Sequence, residues 1–207
     1  MVRPGRAVDL LLTSSSPHSL LLSYSLPKQL RSLPVALRQR VRYREEGEQE
    51  WLEVNTTTLT ASLQAPTYSL LISPLAPNTP YTVEVVMRPD SPNSLYWGEE
   101  GLVTSTTLPA RPSRPPRTHP GGFTSHQTKE GMRRVVVYWQ ELARKEEGGP
   151  GFHYAIVQGG RQEQNTTRPY VVFDNLPSEE SLELRVWSSN EVGRSNTSAF
   201  LQVSGSR

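Results

Sequence analysis

The residues of this chain that could do chemistry fall into a few clusters, and the densest is a row of cations. Arg38, Arg40, Arg42 and Arg44 occupy alternate positions, a spacing that places all four on one face of a β-strand. Such a row can pair with carboxylates or stack on aromatic rings. Acidic residues come as adjacent pairs, Glu45-Glu46, Glu146-Glu147 and Glu179-Glu180. All three pairs sit among turn residues, whereas a general acid needs partial burial to raise its pKa. His18, His119, His126 and His153 lack metal-ligand spacing. Gly148-Gly149-Pro150-Gly151 joins two strand-like runs, so it reads as a turn and not a phosphate cradle. No serine lies in a nucleophile elbow. The absence of cysteine excludes thiol catalysis, Cys-zinc sites and disulfides. The expectation is a chain that is not an enzyme, with no cofactor and no metal. Three triplets, beginning at Asn55, Asn165 and Asn196, match the glycan acceptor pattern.

The elements that position these residues read as β-structure throughout. In the first half, 7–12, 20–24, 37–44, 51–54, 68–73, 81–88 and 102–107 carry strand patterning between turn residues. Across 37–44, Leu37, Gln39, Val41 and Tyr43 alternate with the four arginines, so one face is buried and the other solvated. Leu75, the Pro77-Asn78 turn and Tyr81 form a tyrosine corner, whose phenol returns to the upstream backbone. The second half repeats the plan at 135–139, 152–157, 170–173 and 182–188, with Leu182 in place of the corner tyrosine. Trp187 reads as core. No amphipathic helix of useful length appears.

At 207 residues the chain suits two sandwiches rather than one. The expected fold is all-β, two tandem fibronectin type III-like sandwiches: residues 1–109, a Pro-rich hinge at 110–116, and residues 117–207. The net charge of +2 gives no general pull on nucleic acid or membrane. No run of ~18 apolar residues spans a membrane, and the start lacks the apolar stretch of a signal peptide. An extracellular location therefore implies that signal and membrane segments lie elsewhere.

Tyr96-Trp97-Gly98-Glu99-Glu100-Gly101 precedes the last strand of the first half and runs on to Arg111-Pro112-Ser113-Arg114-Pro115-Pro116. Together with Arg42-Tyr43-Arg44 and Trp51, and with 135–139 and 148–154, these stretches resemble class I cytokine receptors. In layout they are most similar to the shared signal-transducing receptors of the interleukin-6 family, whose Trp-Ser-x-Trp-Ser motif stands at this place. Gly98 and Gly101 replace both serines, and Glu100 replaces the second tryptophan. The resemblance implies a stack of arginines on tryptophan. With Glu84 and Val86 on the neighbouring strand, only Arg88 remains there, so the expectation is Trp97 against one or two guanidiniums, with Glu84 pairing to Arg42.

By the same resemblance the chain is a non-catalytic extracellular receptor segment. Its partners would be a helical cytokine, a second receptor chain, or both, with no nucleic acid. Contact would come from the loops 28–33 and 88–96, with Lys28, Arg31, Asp90, Asn93 and Tyr96 as candidates. The second half would act as a spacer. A fibronectin-type pair from an adhesion or matrix protein is the alternative.

Overall fold

The computed structural model describes residues 5–31, 36–54, 58–60, 67–91, 96–159 and 162–205, and describes no side chain at Gln29 or 58–60. Asn55 and Asn93 lie outside the described residues. The chain divides into two compact units, Met1–Leu108 and Pro109–Arg207.

The first unit holds β1 (Val8–Ser16), β2 (Ser19–Ser25), α1 (Lys28–Arg31), β3 (Ala36–Glu45), β4 (Leu52–Val54), β5 (Thr58–Thr60), β6 (Thr67–Ile72), β7 (Pro80–Pro89) and β8 (Gly101–Thr106). One antiparallel sheet has the order β1-β2-β6; the other runs β4-β3-β7-β8, with β5 also on β3. Period-two alternation decides which side chains fill the space between the sheets. Leu20, Leu22 and Tyr24 enter from β2, Leu37 and Val41 from β3, and Val83, Val85 and Met87 from β7. Gln39 has inward parity and is buried; the Tyr24 hydroxyl donates to its Oε1. That bond satisfies a polar group that would otherwise be costly to bury. Burial in this apolar core pushes the Tyr24 phenol well above its usual pKa. The tyrosine corner forms: the Ala76 N–H donates to the Tyr81 hydroxyl at 2.9 Å.

The second unit holds β9 (Phe123–Lys129), β10 (Met132–Tyr138), α2 (Arg144–Glu147), β11 (His153–Gln158), β12 (Gln164–Thr166), β13 (Tyr170–Pro177), β14 (Leu182–Asn190), β15 (Gly193–Arg194) and β16 (Ala199–Val203). Its sheets are β13-β10-β9 and β12-β11-β14-β16, with β15 also on β14. Val135 and Val137, Tyr154 and Ile156, and Leu182, Leu184 and Val186 form the core with Trp139.

The Pro-rich segment 110–116, expected as a hinge, is bonded to the second unit. The Ala110 N–H donates to Gly148 O at 2.8 Å, and the Ser113 N–H to Glu146 O at 3.1 Å. Asn190 Nδ2 donates to Ala110 O at 2.7 Å. Arg114 grips the Glu146 carboxylate with two bonds of 2.7 Å, and that carboxylate also accepts the Ala143 N–H. The Arg114 guanidinium therefore holds the Glu146 carboxyl below its ordinary range. Glycines permit the approach at two points. Gly148 has φ +73°, and a Cβ there would stand 2.7 Å from Ala110 O; Gly193 has φ +143°, and a Cβ would meet Arg111 Nε at 2.8 Å.

Candidate functional site

The solvent face of the sheet β4-β3-β7-β8 is built by the register of three strands. Arg38 lies opposite Arg88, Arg40 opposite Val86, Arg42 opposite Glu84, and Arg42 also opposite Glu53. From Arg38 to Arg44 every second residue of β3 thus projects a guanidinium outward, beside the outward residues of β7. Glu84 is 2% exposed although it lies on this outer face. Its carboxylate accepts Arg42 Nε at 3.0 Å and Nη2 at 2.6 Å, and Arg40 Nη2 stands 3.8 Å away. A buried carboxylate is tolerated only when paired in this way. The bonds to Glu84 raise the Arg42 pKa, with Glu100 and Glu53 adding to the effect.

Two tryptophans extend the row. The guanidiniums of Arg40 and Arg88 both lie over the Trp97 ring, at 4.8 and 4.9 Å from its centroid. Those of Arg44 and Arg42 lie over the Trp51 ring, at 4.7 and 5.3 Å. The face is therefore one ladder, Trp97 with Arg88 and Arg40, then Glu84, then Arg42 and Arg44 with Trp51. The reading from sequence reached Trp97 and Glu84 but not the role of Trp51, which follows β3 through the charged turn and enters the row from β4's side. Its position in the chain, a tryptophan shortly after an arginine-alternating strand, was the available signal.

The ladder fixes the segment that carries the motif. The Gly98 N–H donates to Met87 O at 2.8 Å, and Gly98 is buried. Gly101 is buried at the start of β8, where a Cβ would stand 3.3 Å from the Leu10 side chain. Glu99 and Glu100 face solvent. Tyr96, one residue before the anchored Trp97, is 75% exposed.

The exit of β7 and the entry of β3 lie together at one end of this unit, because the Asp90 N–H donates to Ala36 O at 2.8 Å. The Asp90 carboxylate pairs with Arg38 at 3.2 Å. In α1, Lys28 is exposed, whereas Arg31 is half-buried and donates from Nε to Leu26 O at 2.7 Å. Leu30 is buried and seats this turn on the core. Of the contact residues that are described, Tyr96 and Lys28 project most freely.

In the second unit Asn165 is exposed on β12 and Asn196 is exposed in the turn before β16. Trp187, expected in the core, points the other way. Leu182, Leu184 and Val186 take the inward parity of β14, so Trp187 falls on the outer face. There the Arg194 guanidinium lies 5.6 Å from its ring centroid and pairs with Glu163. The remaining titratable groups are dispersed. His18 and His153 each bond a backbone carbonyl through Nδ1, and burial pushes the Glu147 carboxyl up. Among the described residues no three His, Asp or Glu side chains form a metal-binding group, and no helix is long and apolar enough to cross a membrane.

No model of a known protein family matches the chain, and none of the curated proteins does. Solved structures do match. One is the FN1–FN3 domains of chicken CNTN1, with a TM-score of 0.64 and 15% identity, covering 100% of this chain and 68% of that one. The chain is thus an all-β pair of tandem fibronectin type III sandwiches. At that identity the likeness carries the fold.

Proposed function

We propose that the chain is the extracellular ligand-binding segment of a class I cytokine receptor. The observation that supports it is the ladder of two tryptophans and five basic or acidic partners on one sheet face, at the place where the motif-like stretch 96–101 meets the last strand. The ladder holds Trp97 and Gly98 on the sheet and leaves Tyr96 standing into solvent. A projecting tyrosine on a rigid base is the kind of anchor that dominates protein interfaces. Helical cytokines offer helix faces, and Lys28, Arg31 and Tyr96 offer cations and an aromatic ring to meet them. The second sandwich is the spacer, with segment 110–116 as a stiff entry held by Arg114 and Glu146. Neither unit needs catalysis or a cofactor for this role.

The test is a binding screen. The immobilised chain, and its Tyr96→Ala and Arg31→Ala double variant, are presented to secreted helical-bundle proteins of the source organism. A ligand whose affinity falls tenfold or more in the variant is the expected result. Binding that ignores both substitutions, or no helical ligand at all, would count for an adhesion or matrix role instead.

A further inference from the structure

Of the three glycan acceptor triplets, the one at Asn165 stands where the second unit's register can be followed from strand to strand. On β12, Asn165 lies opposite Ala155 of β11, and Ala155 lies opposite Trp187 of β14. Directly paired residues share a face, so all three side chains belong to the outer face that Trp187 occupies. Tyr154 and Ile156, on either side of Ala155, turn into the core. Ala155 is nevertheless 0% exposed, so larger outward side chains close over its methyl group. Asn165 is exposed and Trp187 half-buried. Two strand spacings put their backbones about 10 Å apart, with no bulky residue between them. Thr167, the hydroxyl residue that completes the triplet, is exposed as well.

The wall beside this acceptor is polar as well as aromatic. The Arg194 guanidinium stands 5.6 Å from the Trp187 ring centroid and pairs with Glu163, two residues before Asn165. The side chains of that ion pair are 45% and 32% exposed, so both remain open to a ligand. The Asn165 amide is thus bordered by an indole, a guanidinium and a carboxylate. An N-acetylhexosamine matches this set. The C–H face of its ring packs on the electron-rich face of an indole. Its hydroxyls donate to a carboxylate, and its acetamide oxygen accepts from a guanidinium.

We propose that Asn165 carries an N-linked glycan whose first N-acetylhexosamine packs against Trp187 and the Arg194–Glu163 pair. In the transfer step Asn165 Nδ2 bonds to the anomeric carbon of a lipid-linked diphospho-oligosaccharide. The anomeric C–O bond breaks, the lipid diphosphate leaves with that electron pair, and one Nδ2 proton passes to a base of the transferase. The packed sugar covers the outward indole and fixes the direction in which the glycan leaves the sheet. It thereby shields this face of the second unit from protein partners, as suits a spacer. The proposal rests on passage through the secretory pathway, which the receptor reading and its adhesion rival share.

The chain is secreted from cultured animal cells behind an added leader, with Asn55→Gln and Asn196→Gln leaving Asn165 as the one acceptor. Thr167→Ala, which destroys the triplet and keeps Asn165, is the control. Mass spectrometry reads occupancy: most chains modified is the expected result, and an unmodified Asn165 in the secreted chain overturns the proposal. Endoglycosidase trimming then leaves the first sugar alone, labelled by isotope-enriched glucosamine in the medium. Its ring protons should show through-space contacts to the Trp187 indole and be displaced upfield by it, in magnetic resonance spectra of the chain with Trp187 intact. Both signatures should vanish in Trp187→Leu, a change on the outer face that leaves the core residues in place. A sugar with the spectrum of a free residue, or an upfield displacement indifferent to Trp187→Leu, overturns the packing. No helical ligand enters the experiment. An empty Asn165 with helical-ligand binding intact refutes only this site, and a packed glycan without such binding refutes only the receptor reading.

Discussion

Replacing Glu84 with Ala removes the one carboxylate on which the ladder turns. Arg42 loses two hydrogen bonds, of 3.0 and 2.6 Å, and Arg40 loses its counter-charge at 3.8 Å. Stripping one partner from a fully buried ion pair costs about 3–5 kcal/mol. Both arginine side chains are 27% exposed, so water recovers part of that loss, and both keep their tryptophan contacts. The expected cost is about 2–3 kcal/mol. For a unit of this size that lowers the melting temperature by roughly 10 °C, at about 4 °C per kcal/mol. The assay is calorimetric or circular-dichroism melting of the whole chain, with the second unit's transition as internal reference. A double-mutant cycle with Arg42→Ala should return a coupling of about 1–2 kcal/mol. A loss below about 0.5 kcal/mol, or an equal shift of both transitions, would refute the reasoning that a buried carboxylate organises this face.

Three further outcomes follow from the same geometry. Trp97→Ala removes two guanidinium contacts and should cost the first unit about 1–2 kcal/mol, while Trp51→Ala costs less; urea unfolding ranks them. Tyr81→Phe leaves the Ala76 N–H without its acceptor and should cost about 1–2 kcal/mol by the same measure. The pH dependence concerns Glu146, whose pKa is lowered by Arg114 in the folded chain. Its contribution is complete above the ordinary carboxylate range and is lost as pH falls through the lowered folded value. The gap in second-unit stability between wild type and Glu146→Gln should therefore be constant at neutral pH and close under acid, and a gap independent of pH would be inconsistent with the pairing.

Much of the fold was legible because strand parity leaves a trace in the residues. Leu37, Gln39, Val41 and Tyr43 against four arginines gave the inner and outer faces of β3, and the spacing from Leu75 to Tyr81 gave the corner. Trp187 shows the same rule neglected, since Leu184 and Val186 already put it on the outward parity. β9 left little trace: its residues are nearly all exposed and polar, so only pairing with β10 defines it. The bonds that hold 110–116 to the second unit come from residues far along the chain, Glu146 and Asn190, which no local pattern announces. Trp51 belongs to the same class, because its contact with Arg42 and Arg44 depends on how the chain returns after the turn at 46–50.

The sequence of the full transcript around this segment separates the receptor reading from its rival. A cytokine-receptor segment requires a cysteine-paired sandwich encoded upstream and a membrane span with a cytoplasmic tail downstream. Fibronectin or immunoglobulin repeats on both sides, with no cysteine-paired sandwich among them, would contradict that reading and leave the ladder as a structural device of an adhesion protein.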